Sequence, residues 1–359
     1  MRIVFTSYVS SPEFEEPLAW LNRIKGYTGI LEGLSKNHEV IGIEKINYEG
    51  SYFQDGVQYY FLKQEKKVLL FPFRLHQFIK KLQPDIVFIN GFIFPLQIIQ
   101  LRLKLGYSSR IFILHRAEKP YKGIKRWLQK LADKCVQGYL FTSFESAEEW
   151  IKFGIIKNQK KIHEIIQGSS RFGVTSSKLP VVNKQNFLWV GRLDDNKDPV
   201  TVIKAFIKFL QVQPSAKLFL IYQDAPLLNK LLSLIETNEA AKNAIKLVGH
   251  ISHNNLEEWY NKSDFIISGS HYEGSGIAVC EAMSCGCIPI VTDIPSFRKM
   301  TEEKCGFLYR PGDDFELLKL LCATKDMDIN AERKKVLEQF TNELSFEAIT
   351  KKIGQIISN

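Results

Sequence analysis

The stretch "FIISGSHYEGSGIAVCEAMSC", residues 265–285, predicts an apolar strand, a glycine-rich loop and a small-residue helix in direct succession. Strand, loop and helix in that order build a parallel sheet, because the helix returns the chain to the start of the next strand. Glu273 precedes the Gly-Ser-Gly turn, and Glu281 lies inside the apolar helix. Because carboxylates are rarely buried without a partner, a ligand rich in hydroxyl groups would explain both positions. The alternative is that Glu273 caps the helix and Glu281 meets an internal cation.

The same alternation of short apolar runs and amphipathic stretches extends over the whole chain. It predicts strands such as Arg110–Leu114 and Ile288–Thr292, and a helix over Pro17–Ser35. With 359 residues, the chain is too long for one ordinary core. We therefore expect an α/β protein with two doubly wound, Rossmann-like parallel-sheet domains that face each other across a cleft. Ligands are expected at the carboxyl ends of the strands.

The domain boundaries are predicted from a segment rich in Ser, Gly and Pro, after which the pattern of strands and helices restarts. We expect an N-terminal domain over residues 1–172, a linker over 173–185 and a second domain over 186–341. The last helix, within residues 342–359, is expected to pack back onto the first domain.

The basic charge is concentrated in the first half of the chain. Residues 1–175 carry 26 Lys and Arg against 16 Asp and Glu, whereas residues 176–359 carry 22 against 23. Four basic residues have the spacing of one helix face: Lys122, Arg126, Lys130 and Lys134. This face is either a solvated surface or a docking site for an anionic membrane or a phosphate-bearing acceptor. No nucleic-acid recognition motif accompanies the charge, so nucleic acid is not an expected partner.

The cysteine pattern and the first residues favour a cytoplasmic protein. The six cysteines form no CxxC pair and have no histidine at zinc-ligand spacing, so we expect reduced, packed thiols and no metal site. The stretch "MRIVFTSYV" lacks the features of a secretory leader, and no apolar run is long enough to span a membrane. We therefore expect a cytoplasmic location, with the basic helix face free to contact the cytoplasmic membrane face peripherally.

A second polar cluster lies in "FLWVGRLDDNKDP", residues 187–199, at the first strand of the second domain. Gly191, Arg192 and Lys197 are predicted to lie between a strand end and a helix start, where a diphosphate would be bound. A guanidinium and an ammonium without a Walker sequence indicate phosphate neutralisation by side chains rather than by magnesium. The alternative is that the three aspartates of this loop pair with the two cations.

These two clusters resemble the motifs of the retaining glycosyltransferases of family four, which have the GT-B fold. "VGRLDDNKDP" is similar to that family's phosphate-binding loop, and "EGSGIAVCE" is similar to its pair of glutamates. "EAMSCGCIPIVTD" and "CGFLYRPGD" resemble the segments that follow, whereas the first half is similar more loosely, through "HRAEKP" and "LFTSFESAEEW". One departure is the loop after the first strand, "SYVSSPEFEEP", which lacks the glycines that many members carry there.

The resemblance implies a role for each candidate residue. Arg192 and Lys197 would stabilise the leaving nucleotide diphosphate, and Glu273 would contact the donor sugar. Glu281 would bind the ribose, and His115 of the first domain would face the transferred sugar. The remaining donor-binding contacts are implied for Gly191, Gly249, Ile251, Gly274, Ser275, Gly276 and Ile277.

The resemblance also implies the reaction. It is the transfer of a sugar, with retention of configuration and without a metal or a cofactor, from a nucleotide-diphosphate sugar. UDP is the first expectation for the nucleotide and GDP the second, and the acceptor would be a glycan or a lipid-linked glycan bound by the first domain. Two other functions remain open: a nucleotide-sugar epimerase of GT-B fold, and a non-catalytic sugar-binding protein on the same fold.

Overall fold

The computed structural model describes residues 1–63, 70–175 and 185–358. The chain divides into two compact units: unit 1 comprises Met1–Gly168 and Ile349–Asn359, and unit 2 comprises Ser169–Ala348. The first expected domain, residues 1–172, ends four residues after Gly168, whereas the second, residues 186–341, starts 17 residues after Ser169 and ends seven residues before Ala348. Most of the expected linker, residues 176–184, lies outside the described residues.

Unit 1 is built on an eight-stranded sheet with the strand order β3-β4-β2-β1-β5-β6-β7-β8. The strands are β1 (Arg2–Ser7), β2 (Glu39–Glu44), β3 (Gly50–Gln54), β4 (Val57–Phe61), β5 (Ile86–Asn90), β6 (Arg110–Leu114), β7 (Gly138–Phe141) and β8 (Ile162–Glu164). Every pair is parallel except β3 with β4, which form an antiparallel hairpin at the sheet edge. The carboxyl ends of the seven parallel strands therefore meet at one edge of this sheet.

The helices of unit 1 connect these strands. They are α1 (Pro17–Arg23), α2 (Lys25–Ser35), α3 (Phe73–Lys81), α4 (Pro95–Leu105), α5 (Gly123–Asp133) and α6 (Glu148–Lys152), with short 3₁₀ turns at Glu145–Ala147 and Gln159–Lys161. The prediction of one continuous helix over Pro17–Ser35 is wrong. The backbone leaves helical geometry at Ile24, with φ −104° and ψ 15°, so the segment forms two helices.

Unit 2 is built on a six-stranded sheet with the order β11-β10-β9-β12-β13-β14, in which every pair is parallel. Its strands are β9 (Asn186–Gly191), β10 (Lys217–Tyr222), β11 (Ile245–Gly249), β12 (Phe265–Ser268), β13 (Ile288–Thr292) and β14 (Phe307–Tyr309). Its helices are α7 (Pro199–Phe209), α8 (Leu228–Glu236), α9 (Glu239–Ala244), α10 (His253–Lys262), α11 (Ile277–Ser284), α12 (Pro295–Thr301), α13 (Asp314–Ala323) and α14 (Ile329–Gln339). The loops that follow β9, β11 and β12 therefore leave the sheet at the same edge.

The C-terminal segment begins with a 3₁₀ turn at Thr324–Asp326. Helix α14 and a π-helical turn at Phe340–Leu344 follow, and the segment ends with helix α15 (Phe346–Ser358). The part of α15 from Ile349 onward belongs to unit 1. It packs so closely on α2 that a Cβ on Gly33 would lie only 2.3 Å from Thr350 Oγ1. A guanidinium nitrogen of Arg110 also donates to the carbonyl oxygen of Ile357.

The structure confirms the predicted fold class of two mostly parallel α/β units. The core of unit 1 is formed by aliphatic strand residues such as Val4, Val87 and Ile113 with the buried ring of Trp150. Within the described residues, no helix is both long enough and apolar enough to cross a membrane.

Candidate functional site

The loop after β9 holds its polar side chains in a fixed arrangement. Asp194 accepts a hydrogen bond from the backbone N–H of Lys197 at 2.9 Å, and its other oxygen lies 3.1 Å from a guanidinium nitrogen of Arg192. The Arg192 side chain is nevertheless 57% exposed. One of the aspartates therefore pairs with a cation, as the alternative interpretation expected, but most of the guanidinium remains open to a ligand.

Asp198 ends the same loop and starts helix α7. It has a φ of 39°, in the left-handed region that non-glycine residues rarely adopt. Its carboxylate caps α7 by accepting hydrogen bonds from the Thr201 N–H at 3.1 Å and from the Thr201 hydroxyl at 2.6 Å. These bonds offset the cost of the left-handed backbone. Asp198 also lies 3.3 Å from His271 Nε2. This aspartate therefore shapes the loop rather than neutralising Arg192 or Lys197.

Lys197 and Glu273 form an ion pair that joins the loop after β9 to the loop after β12. The Ser270 hydroxyl donates to the same carboxylate oxygen, Glu273 Oε1, at 2.8 Å. Glu273 Oε2 has no hydrogen-bond partner in the part of the chain that the structure describes, and the side chain is 14% exposed. Glu273 does not cap α11, so that alternative is wrong, because the N-cap position is Gly276.

Gly276 is required at the start of α11. Its φ of +50° favours glycine, and a Cβ here would lie 2.7 Å from Cε1 of Phe297. The adjacent Gly274 and Ser275 are half-buried, and Ile277 at the first helical position is exposed. Because the first N–H groups of a helix have no partner inside it, this terminus favours an anion or a hydroxyl-rich ligand.

Glu281 has partners inside unit 2. Oε1 lies 2.6 Å from His253 Nε2, and Oε2 accepts a hydrogen bond from the Tyr260 hydroxyl at 3.0 Å. Its side chain is only 6% exposed. The alternative interpretation expected an internal cation, but the partners of this carboxylate are a histidine and a tyrosine rather than a lysine or an arginine, and the ribose role stays a prediction.

The loop after β11 carries the two residues expected at the nucleotide base. Gly249 has a φ of +87°, and nothing lies within 4 Å of the position a Cβ would take, so the backbone is open there. Ile251 is half-buried and comes two residues before the start of α10. Gly191, the last residue of β9, is half-buried beside the Trp189 ring. The structure brings these loops to one edge of the unit 2 sheet, and their donor contacts stay predictions.

His115 belongs to unit 1, at the carboxyl end of β6, whereas the other candidate residues belong to unit 2. It is 5% exposed, and its ring packs 4.3 Å from the Phe141 ring and edge-on to Trp150. Its Nε2 atom lies 2.9 Å from the Glu118 carbonyl oxygen. Burial lowers the pKa of His115, so a neutral imidazole is favoured. Its contact with a sugar stays a prediction.

Sequence reasoning missed a polar cluster at the carboxyl edge of the unit 1 sheet. Arg116 donates two hydrogen bonds to Asn90 Oδ1, at 3.1 and 2.8 Å, and its guanidinium lies 4.9 Å from the Tyr27 ring centroid. Nearby, Glu44 accepts from the Trp20 indole at 3.0 Å, and burial raises the pKa of Glu44 to about 7. The available signal was one polar residue at the end of each apolar strand, as in "VIGIE" and "IVFIN".

The basic face predicted for residues 122–134 is only partly formed. Lys122 and Lys134 flank α5, and both are exposed, as is Lys130. Arg126 is half-buried instead, because its guanidinium lies 4.0 Å from the Phe153 ring centroid and its Nε donates to Tyr121 O at 2.7 Å. Three of the four predicted cations therefore remain on the surface.

The six cysteines are all free thiols, and those at positions 280, 285, 287 and 305 are buried. Among the described residues, no three His, Cys, Asp or Glu side chains form a group that could hold a metal ion.

Comparison with known sequences finds one family model that matches most of unit 2. The model of the family described as glycosyl transferases group 1 matches residues 171–333. A GDP-mannose:cellobiosyl-diphosphopolyprenol alpha-mannosyltransferase of Xanthomonas oryzae pv. oryzae (strain PXO99A) is 28% identical over 119 residues, which are 33% of this chain and 31% of that protein. A UDP-Gal:alpha-D-GlcNAc-diphosphoundecaprenol alpha-1,3-galactosyltransferase of Escherichia coli is 25% identical over 252 residues, 66% of this chain and 63% of that protein. The chain thus spans less than two thirds of the length of either relative.

Solved structures match the whole chain. The Anabaena protein HepE, solved in complex with UDP, has a TM-score of 0.75 and 16% identity, with 100% of both chains covered. A sucrose-phosphate synthase from Thermosynechococcus elongatus has a TM-score of 0.74 and 17% identity, with 99% of this chain and 98% of that chain covered. At these identities the likeness shows the fold alone, and it agrees with the predicted GT-B class.

Proposed function

Because residues 171–333 belong to the glycosyl transferases group 1 family, we propose that this protein transfers a sugar from a nucleotide-diphosphate sugar to an acceptor hydroxyl. We propose further that the anomeric configuration is retained and that no metal is needed. The observation that carries the proposal is the ion pair of Lys197 with Glu273, since the loop that holds Lys197 also carries the exposed guanidinium of Arg192. These three side chains bring two cations and one sugar-binding carboxylate to the carboxyl edge of a single sheet.

Breaking the bond between the anomeric carbon and the phosphate oxygen develops negative charge on the leaving diphosphate. Arg192 and Lys197, with the N-terminal N–H groups of α11, supply fixed positive charge where that negative charge appears. Lys197 is already held by Glu273, so little reorganisation is needed during the reaction. This arrangement supports charge stabilisation by side chains in place of a metal.

Glu273 has a second role in the proposal. Its Oε1 atom is occupied by Lys197 and Ser270, and its Oε2 atom accepts hydroxyl groups of the donor sugar. The acceptor oxygen then bonds to the anomeric carbon from the face that the diphosphate leaves. The acceptor proton passes to the leaving phosphate oxygen, so no protein nucleophile is required.

The nucleotide of the donor is proposed to be UDP, with GDP as the second candidate. Glu281 would bind the ribose, and the loop that contains Gly249 and Ile251 would hold the base. The two relatives described above carry GDP-mannose and UDP-Gal in their names, which supports either nucleotide.

The acceptor is proposed to be a lipid-linked glycan reached from the cytoplasmic membrane face. Both relatives are named for diphosphate-linked polyprenol acceptors. Lys122, Lys130 and Lys134 are exposed at α5, together with Ile124 and Trp127, which are 77% and 57% exposed. Lysines beside an exposed tryptophan suit the interface of an anionic bilayer. Flotation with anionic liposomes should decline as salt rises, and salt-independent association would contradict the electrostatic part of this proposal.

The experiment that tests the proposed function follows donor cleavage. Purified protein is incubated with UDP-sugars and GDP-sugars in EDTA, without and with an extracted lipid-linked acceptor. We expect slow hydrolysis of one donor without acceptor and faster transfer with it, giving a product whose anomeric proton signal matches the donor configuration. No cleavage of any donor would favour a sugar-binding protein, and release of an epimerised nucleotide sugar would favour an epimerase.

A further inference from the structure

We infer that His253 and Tyr260 are positioning residues that orient the Glu281 carboxylate toward the 2′- and 3′-hydroxyls of the donor ribose. His253 thereby becomes a determinant of the selectivity for ribonucleotides over deoxyribonucleotides. The inference rests on the proposed function, which assigns Glu281 to the donor ribose.

Both positioning residues contact the Glu281 carboxylate from the same helix. His253 and Tyr260 both belong to α10, and Glu281 belongs to α11. His253 Nε2 lies 2.6 Å from Oε1, and the Tyr260 hydroxyl donates to Oε2 at 3.0 Å. A carboxylate has about four lone-pair sites, so one bond to each oxygen fixes its plane and leaves further lone pairs for a diol.

The His253 ring is itself held in place. It packs against Phe172 with ring centroids 5.0 Å apart and an interplanar angle of 30°, and Phe172 also lies 6.1 Å from the Tyr260 ring. The side chain of His253 is 43% exposed, whereas that of Glu281 is 6% exposed. His253 is therefore the member of the pair that faces solvent, directly after the loop expected to hold the base.

The protonation of Tyr260 fits its role as a donor. Burial, with the Glu281 carboxylate as a further cause, raises the pKa of the Tyr260 hydroxyl well above its usual range. The phenol therefore keeps its proton and donates to a carboxylate that acts only as an acceptor. A vicinal diol has two hydroxyl donors, which match the lone pairs that His253 and Tyr260 leave open. A carboxylate that is fixed before binding loses less entropy when it accepts those donors.

A purely structural role is the competing explanation, because the same hydrogen bonds hold α10 against α11. The two explanations differ in what they predict for the ligand. A structural role predicts equal weakening of all nucleotides, whereas a positioning role predicts a loss confined to ligands with both ribose hydroxyls.

The test compares binding of UDP and 2′-deoxy-UDP, and of GDP and 2′-deoxy-GDP, by calorimetry on the full-length protein. Hydrogen bonds to charged groups lead us to expect that wild type prefers the ribonucleotide by about 10- to 100-fold. His253→Ala should reduce that preference at least about fivefold, while deoxynucleotide affinity changes by no more than about twofold. His253→Gln should restore much of the preference, because a glutamine amide nitrogen can take the place of Nε2. Thermal unfolding of each variant monitors the fold.

Tyr260→Phe provides an independent variant that removes only one hydroxyl. This variant should also lower the preference for the ribonucleotide, because it frees Oε2 of Glu281, whereas the His253 variants free Oε1. An unchanged preference in both His253→Ala and Tyr260→Phe would overturn the inference, as would equal weakening of ribo- and deoxynucleotides. Wild type that binds a nucleotide without any ribose preference would overturn the inference and the assignment of Glu281 to the ribose, but not the proposed sugar transfer. Wild type that binds no nucleotide would contradict the proposed function and the inference with it.

Discussion

Arg192→Ala should separate catalysis from stability more cleanly than any other change at the site. Its side chain is 57% exposed, and its ion pair with Asp194 spans 3.1 Å at the surface. Exposed pairs contribute about 0–1 kcal/mol, so the free energy of unfolding should fall by less than about 1 kcal/mol. Loss of one preorganised group that stabilises transition-state charge lowers turnover by about 10²–10³, or about 2.7–4 kcal/mol. The predicted loss in activity therefore exceeds the predicted loss in stability severalfold.

The assay measures nucleotide release from the donor sugar alongside urea unfolding. Lys208→Ala is a matched control, because Lys208 is also exposed in unit 2 and pairs with Asp314 at 2.6 Å, near the far end of α7. The control should leave turnover unchanged and shift stability by a similar small amount. A turnover loss of less than about threefold in Arg192→Ala would refute the assignment of Arg192 to the leaving diphosphate.

Three further predictions concern other parts of the molecule. Glu273→Ala should lower turnover about 10²-fold in the nucleotide-release assay, because it removes the sugar contact and leaves the Lys197 ammonium unpaired; near-normal turnover would contradict this. Gly276→Ala should lower the urea-unfolding free energy by about 1–3 kcal/mol, since its φ is +50° and a Cβ would meet Phe297; an unchanged midpoint would argue against that strain. Burial raises the pKa of Glu44 from about 4.5 to about 7, so the folded state keeps a proton that the unfolded state loses, and wild-type stability should fall as pH rises from about 4.5 to 7. Glu44→Gln should remove this fall, so that its free energy of unfolding at pH 8 exceeds that of wild type by at most about 3 kcal/mol. If the free energies of unfolding of the two proteins change in parallel with pH, this role of Glu44 is ruled out.

The sequence predicted the strands near the site because their signals are local. The strands Arg110–Leu114, Phe265–Ser268 and Ile288–Thr292 each consist of an apolar run with one polar residue at its end, and the structure has strands at those residues. The β3–β4 hairpin was missed although a signal was present. Asp55 and Gly56 have φ values of 49° and 81°, which is the geometry that an Asp-Gly turn favours between two strands.

Other features depend on tertiary contacts that a single sequence does not contain. Lys197 and Glu273 are 76 residues apart, and only the neighbouring positions of β9 and β12 in the sheet bring their loops together. The partners of Glu281 are likewise 28 and 21 residues away, on α10. Periodicity also predicted that Arg126 lines an exposed face, but the Phe153 ring draws its guanidinium against the protein surface.

The most direct test of the proposed donor site is calorimetric titration of UDP, GDP and ADP into wild type and Arg192→Ala, with EDTA present throughout. We predict that one nucleotide binds wild type selectively without a divalent metal and that its affinity falls sharply in the variant. Binding that is unaffected by the substitution, or the absence of binding for all three nucleotides, would contradict a nucleotide-diphosphate site at the carboxyl edge of the unit 2 sheet.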